Sequence, residues 1–344
     1  YAVLGGYCIE YMALNLSNLA FGSESLATGG ELFAAMLSNP AGAVLFAALF
    51  LALCYLINRS GISGGIEKFN NVGMPTLFVM LVVIIIRSLT LPGAMEGLKF
   101  MFVPGSAVEV GFVAETPSLL SVFASAGGQM FFSLSIGLGV MITYGSYLGK
   151  QEHLQRNAFI VCGADTLIAL MAGMAVMPAC SAFGVEYGAG PGLLFASMQT
   201  VFSHMGSVGN LIGFLFYLLV LIAALTSSIS MLELCTAYAV DKQIEKGLTP
   251  KRAKHTSEVA ALVFIAGSLV ALDGLGAGVA GGAAVETPAT LLGLSVRGWN
   301  DCWLDLYDMV AEGILMPLGA LVMTILIGWG LQPEVVPLAC EPSG

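Results

Sequence analysis

The hydrophobic positions of this chain form long, nearly unbroken stretches instead of the alternating or one-faced patterns of a soluble protein. A helix that crosses a bilayer needs about 20 predominantly apolar residues, and its backbone must satisfy its own hydrogen bonds in lipid. Eight stretches are candidates: residues 1–20, 41–58, 73–91, 119–148, 155–180, 208–240, 258–272 and 303–330. The pattern predicts an all-α integral membrane protein that forms a single transmembrane domain over residues 1–344.

The composition supports this prediction and argues against several other classes of protein. Hydrophobic residues make up 57% of the chain and charged residues 10%, whereas a soluble domain carries about 25% charged residues. A net charge of −10 without a basic patch argues against nucleic-acid binding. The cysteines form no CxxC pair and the histidines no HExxH motif, so we expect neither a zinc site nor an enzyme.

The basic residues predict which side of the membrane each loop faces. Most of the 12 Lys and Arg residues lie in the loops at 59–72, 149–157 and 241–257. Short cytoplasmic loops are enriched in Lys and Arg, so these loops are expected on the cytoplasmic side. The chain begins inside an apolar stretch, which leads us to expect a chain truncated at its N-terminus.

Two of the predicted spans contain polar clusters. The fourth has serines and glycines at 133–139, and both residue types weaken a helix. They fit either close helix packing through small residues or a broken helix whose backbone contacts ions and substrate. The sixth has three hydroxyl residues at 226–228. These fit either hydrogen bonds to carbonyls one turn back or coordination of a hard cation such as sodium.

Ionisable residues inside predicted spans indicate functional positions. Asp165 lies in an apolar stretch with no basic residue nearby in sequence. A buried carboxylate needs a partner or a proton, and a bound cation would meet that need. The other ionisable candidates in the spans are Glu10, Glu233, Asp305 and Asp308.

Four regions together resemble the neurotransmitter:sodium symporter family. GGIEKF at 64–69 with MPTLF at 74–78 is similar to the start of helix 5, and GQMFFSLSIGLG at 128–139 with TYGSY at 143–147 to the broken helix 6. ALTSSIS at 224–230 is similar to helix 8, and LDLYD at 304–308 with PLGAL at 317–321 to helix 10. The resemblance implies an inverted-repeat transporter fold in which the eight spans are helices 3 to 10.

The resemblance also implies the residues of a transport site. The implied substrate contacts are Tyr1, Leu4, Phe132, Ser135, Gly137, Leu138, Ser228 and Met231. Two sodium sites are implied, one with Ser133 and Asp165 and the other with Ala223, Thr226 and Ser227. In the family, helix 1 completes both sites. The implied gate residues are Gln129 and Asp308 on the outside, and Tyr147 and Asp241 on the inside.

The function that the resemblance implies is sodium-coupled symport of an amino acid by alternating access across a bacterial plasma membrane. Leu138 and Met231 carry no charge, so the expected amino acid is apolar. Asp165 is expected to supply the negative charge that chloride provides in some relatives, so chloride is not expected to be required. Two alternatives remain: the same fold carrying another solute, such as a betaine or a nucleobase, or a membrane scaffold or sensor that transports nothing.

Overall fold

The computed structural model describes residues 1–22, 28–113, 115–149, 152–185, 187, 190–276, 290–291, 294–295 and 302–330. Lys150, one of the basic residues used to predict orientation, lies outside these ranges. Helices dominate the described part. Its strands are β1 (Thr290–Leu291) and β2 (Leu294–Ser295), which pair antiparallel.

The described helices vary from single turns to 39 residues. In chain order they are α1 Ala2–Phe21, α2 Gly29–Leu37, α3 Pro40–Arg59, α4 Glu67–Leu89, α5 Ala94–Phe102, α6 Ser106–Glu109, α7 Leu119–Ser133, α8 Val140–Gly145, α9 Leu154–Ala182, α10 Gly190–Gly192, α11 Met198–His204, α12 Ser207–Glu245, α13 Arg252–Asp273, α14 Trp303–Asp308 and α15 Met316–Ile325. Wider π-helical turns occur at Ile62–Ile66, Leu193–Ser197, Met309–Leu315 and Leu326–Gly330.

Six described helical segments are long and apolar enough to cross a membrane. They are Pro40–Arg59, Gly64–Leu89, Leu154–Ala182, Val208–Glu245, Arg252–Asp273 and Trp303–Gly330. The predicted span at 1–20 forms the continuous helix α1, although polar residues such as Glu10 and Asn15 make it less apolar than the six. The predicted span at 119–148 is divided into α7 and α8. The start predicted at residue 73 lies inside a helical segment that begins at Gly64.

The chain divides into two compact units. Unit 1 comprises residues 1–114 and 171–304, and unit 2 comprises residues 115–170 and 305–344. In unit 1, α1 packs against α3 and α12, α13 packs against α3 and α12, and α4 packs against α12. A side chain at Gly6 would collide with the backbone of Ala47, so this glycine permits the close approach of α1 and α3.

The segment at 190–204 is fixed to α1 and α12 within unit 1. Phe195 is fully buried, and its ring stacks parallel to Tyr217 with centroids 6.0 Å apart. The Tyr217 hydroxyl donates to the Leu194 carbonyl at 2.9 Å. The buried Asn15 amide donates to Gln199 Oε1 at 3.1 Å. Aromatic packing and hydrogen bonds therefore join this segment to the helices of unit 1.

A buried ion pair connects three helices of unit 1. Arg252 begins α13 and pairs with both carboxylate oxygens of Glu233, whose side chain is fully buried in α12. Arg252 Nε donates to the Asn58 carbonyl at the end of α3, at 3.2 Å. The Asn58 amide donates to the Ile229 carbonyl of α12 at 3.0 Å. Glu233, which the sequence marks as an intramembrane carboxylate, is thus held by a structural partner.

We expect Arg252→Ala to destabilise the full-length protein by about 3–5 kcal/mol, because it leaves the buried Glu233 carboxylate without a counter-charge. The measurement is the thermal unfolding midpoint in detergent. Lys254→Ala is the matched control, since it removes a neighbouring basic residue whose pairing with Glu258 is exposed and contributes little to stability. Equal effects of the two substitutions would show that the Arg252–Glu233 pair does not stabilise the fold.

Candidate functional site

The fourth predicted span, at residues 119–148, is a broken helix. Helix α7 ends at Ser133, and α8 begins at Val140. The Ser135 N–H donates to the Phe132 carbonyl at 3.1 Å, and the Ile136 N–H donates to the Phe131 carbonyl at 3.0 Å. These two bonds form the Schellman arrangement that commonly ends a helix. The predicted break in this helix is confirmed.

Left-handed backbone conformations cause the break. Ser135 has a φ of 53°, and Gly137 and Gly139 have φ values of 89° and 80°. Glycine adopts such angles freely, but a residue with a side chain does so at a cost of about 1–2 kcal/mol. Backbone strain of this kind is concentrated at functional sites. Ser135 is therefore the residue at which the break departs most from ordinary helix termination.

The close-packing interpretation of the same cluster is also correct for one residue. A side chain at Gly137 would collide with the Met316 carbonyl at the start of α15. A side chain at Gly319 would in turn collide with the Gly137 carbonyl. The break is thus packed backbone to backbone against α15 within unit 2. This contact buries irregular backbone against protein, as irregular backbone at membrane depth requires.

Ser133 and Asp165, predicted as ligands of one sodium ion, lie in contact. The Ser133 hydroxyl is 2.7 Å from Asp165 Oδ1 and 2.8 Å from Oδ2. Ser133 is the last residue of α7, and Asp165 lies in α9. Among the ion pairs of the described residues, none involves Asp165. Three oxygen atoms and one negative charge therefore converge at the break, and such a set suits a hard cation.

The second predicted ligand set lies on α12 in unit 1. Ala223, Thr226 and Ser227 are spaced three and four residues apart, so they share one helix face. The Thr226 hydroxyl donates to the Ala223 carbonyl at 2.8 Å. The hydroxyl of Ser228, a predicted substrate contact, is buried without a hydrogen-bond partner among the described residues. The α12 segment 223–228 therefore holds hydroxyl and carbonyl oxygens close together, one of which, the Ser228 hydroxyl, has no partner among the described residues.

The remaining predicted residues are distributed over both units. Unit 1 also contains Tyr1, Leu4 and Met231 and the predicted inner-gate residue Asp241, which is exposed near the end of α12. Unit 2 also contains Phe132, Leu138, Gln129, Tyr147 and Asp308. Within unit 2, hydrogen bonds join Ser133 with Asp165 and Ser135 with Phe132, and within unit 1 one joins Thr226 with Ala223.

One acidic residue beside the predicted outer gate was missed by the sequence interpretation. Glu312 lies four residues after Asp308, in the π-helical turn Met309–Leu315, and the two carboxyl groups interact. The rule that marked Asp308 also applies to Glu312, because both lie in the predicted span at 303–330. The sequence alone did not show that a wide turn would follow Asp308.

Comparisons with known proteins identify relatives of this chain. The model of the sodium:neurotransmitter symporter family matches residues 35–279. An uncharacterized sodium-dependent transporter of Bacillus subtilis, YhdH, is 35% identical over 332 residues, which are 95% of this chain and 65% of the relative. One of Haemophilus influenzae is 34% identical over 339 residues, which are 97% of this chain and 67% of the relative. The chain thus spans about two thirds of the length of these relatives.

The fold is also similar to a solved transporter structure. The crystal structure of MhsT in complex with L-phenylalanine aligns with a TM-score of 0.79 and 31% sequence identity. The alignment covers 99% of this chain and 70% of that chain. This match confirms the expected transporter fold.

We expect Gly137→Ala to lower the thermal unfolding midpoint of the full-length protein. The added methyl group would meet the Met316 carbonyl, and the left-handed conformation alone costs about 1–2 kcal/mol for a residue with a side chain. Gly127→Ala is the matched control, because a methyl group there meets no described atom within 4 Å. If both variants unfold at the wild-type temperature, the packing of the break against α15 is wrong.

Proposed function

This chain belongs to the sodium:neurotransmitter symporter family, and we propose that the protein containing it carries an amino acid into the cell together with sodium. The observation that carries this proposal is the contact of Ser133 with Asp165 at the end of a broken membrane helix. Family membership and the six membrane-crossing segments make the chain part of a multi-pass membrane protein.

Sodium is bound, in this proposal, by oxygen atoms of both units. Ser133 and Asp165 are ligands of one ion, and the carbonyl of Ala223 with the hydroxyls of Thr226 and Ser227 are ligands of another. The carboxylate of Asp165 is negatively charged, so in this proposal it both coordinates sodium and replaces the negative charge of chloride. The resemblance to the family implies that its helix 1 supplies the other ligands of both sites.

The amino acid is held near the break at residues 134–139. An interrupted helix leaves backbone N–H and carbonyl groups without helical partners, and these can bind the charged ends of an amino acid. Leu138 and Met231 would surround its side chain, and neither carries a charge, so the substrate is apolar. MhsT was solved in complex with L-phenylalanine. Because phenylalanine is an apolar amino acid, this complex supports an apolar substrate for the present chain as well.

Transport by alternating access requires that the gates open one at a time. Asp308 with Gln129 would close the outside, and Asp241 with Tyr147 the inside. Glu312 adds a second carboxyl group beside Asp308. The outer gate of this protein would therefore contain two carboxyl groups instead of one.

Sodium-driven uptake is the direct test of the proposed function. The full-length protein is reconstituted into vesicles and offered a mixture of labelled amino acids with and without a sodium gradient. We expect accumulation of an apolar amino acid that stops when the gradient is collapsed. Sodium-driven uptake of a betaine or a nucleobase would instead show that the substrate is not an amino acid. The absence of any sodium-dependent uptake would favour a scaffold or sensor.

Substitution of Asp165 tests its two proposed roles separately. Asp165→Ala removes a charged oxygen ligand, and we expect the sodium concentration for half-maximal uptake to rise about 10- to 100-fold, since a bond to a charged group contributes about 1.5–3 kcal/mol. Asp165→Asn keeps an oxygen and removes the charge, so we expect uptake that depends on chloride. The matched control is Glu109→Gln, an exposed carboxyl group of α6.

Chloride replacement in the wild-type protein decides the second role. We expect uptake to continue when chloride is replaced by gluconate. If wild-type uptake needs chloride, Asp165 does not supply the missing charge.

A further inference from the structure

The short helix α5 lies in unit 1, directly after the membrane-crossing segment Gly64–Leu89. That segment begins in the basic loop at 59–72, so its end is expected on the outer side of the membrane. Gly93, in a left-handed conformation with a φ of 87°, precedes α5. The Ser181 hydroxyl, at the end of the crossing helix α9, donates to the Gly93 carbonyl at 3.0 Å. Helix α5 therefore begins where two membrane-crossing helices end.

One face of α5 packs against the last turns of α9. A side chain at Gly97 would collide with the Met177 carbonyl. One turn further along α5, the methyl group of Met101 occupies the space that a side chain at Gly173 would need. Together with the bond from Ser181, these contacts show that α5 runs antiparallel to the last turns of α9. The whole of α5 therefore stays close to the outer end of a membrane-crossing helix.

A second face of α5 is apolar and open. Met95, Leu98 and Phe102 are spaced three and four residues apart, so they are neighbours on the helix surface. Met95 is 63% exposed and Phe102 is 55% exposed, and Leu98 is partly exposed. The described residues thus leave this face largely uncovered. Exposed apolar side chains that share one face indicate an interaction surface.

A third face of α5 is charged and lies beside the apolar one. Glu96 and Lys99 form an ion pair at 2.6 Å, and both side chains are more than half exposed. A helix with an apolar face next to a charged face fits the boundary between lipid headgroups and acyl chains. Water alone would leave Met95 and Phe102 without an apolar partner, and hydrocarbon alone would leave the ion pair without polar surroundings.

An aromatic cluster beside α5 independently indicates the same level in the membrane. The ring of Phe100 stacks on Tyr187 with centroids 4.1 Å apart and meets the ring of Phe112 edge to face at 5.4 Å. Tyrosine is enriched at membrane–water interfaces, because its ring is apolar and its hydroxyl is polar. Tyr187 follows the end of α9. The cluster therefore marks the outer interface at the height of α5.

We propose that α5 docks on the outer leaflet of the bilayer. Met95, Leu98 and Phe102 contact the upper part of the phospholipid acyl chains, and Glu96 and Lys99 remain among the headgroups. The Gly97 contact fixes α5 to α9 and so sets which face meets the lipid. This docking does not depend on sodium or on the substrate.

Fluorescence quenching by brominated phospholipids tests this docking. Phe102→Trp places a reporter on the apolar face of the full-length protein in phosphatidylcholine vesicles, and the wild-type signal of the native tryptophans is subtracted. We expect lipids that are brominated at the headgroup end of the acyl chain to remove most of the added fluorescence, and aqueous acrylamide to remove little. Lys99→Trp is the matched control on the charged face, where we expect acrylamide to be the stronger quencher.

Met95→Trp is a second reporter on the apolar face, which keeps the test decisive if Phe102→Trp does not fold. Strong quenching of these reporters by acrylamide would overturn the proposal, because the face would then lie in water. Protection from both quenchers would also overturn it, because another part of the full-length protein would then cover the face. Sodium-driven uptake in the same vesicles reports on the proposed function, so normal uptake without lipid quenching would count against the docking alone.

Discussion

The structure depends on one constraint: a peptide group inside a membrane finds no water, so its N–H and carbonyl groups must bond within the protein. Long apolar stretches satisfy this constraint as continuous helices. The segment at 134–139 does not, and it exists only because its neighbours replace the lost helical bonds. The Schellman bonds of Ser135 and Ile136 complete the end of α7. The backbone of Gly137 also packs closely against the Met316 carbonyl at the start of α15.

Two carboxylates that look alike in the sequence differ in burial: Glu233 is fully buried, whereas Asp165 is half-buried. Glu233 and Asp165 both interrupt apolar stretches. Glu233 has a permanent partner in Arg252, which joins α12 to α13 and α3. Asp165 accepts a hydrogen bond from the Ser133 hydroxyl, and the ion pairs found among the described residues do not include it. The first carboxylate therefore belongs to the framework, and the second is the one that our proposal assigns to sodium.

Local sequence patterns predicted much of the fold and part of the site. Six of the eight apolar stretches correspond to segments able to cross a membrane, and the serines and glycines at 133–139 indicated a break because they weaken a helix locally. The early start of the helix at Gly64 was missed, since Asn70 and Asn71 are polar but do not end a helix. Contacts between distant residues could not be predicted from the sequence, because no local pattern shows that Arg252 would pair with Glu233 or that Gly137 would contact Met316.

The bond between Asn15 and Gln199 has a consequence for biosynthesis. These residues are separated by 184 positions, so α1 is made long before its partner. At a synthesis rate of about 5–20 residues per second, Asn15 waits roughly 10–40 s before Gln199 leaves the ribosome. During that interval the Asn15 amide can donate to the Tyr11 carbonyl one turn back, but its second, buried partner Gln199 is absent. Membrane insertion of α1 must therefore tolerate an immature state, in which the Asn15 side chain has only this local hydrogen bond until the later segment arrives.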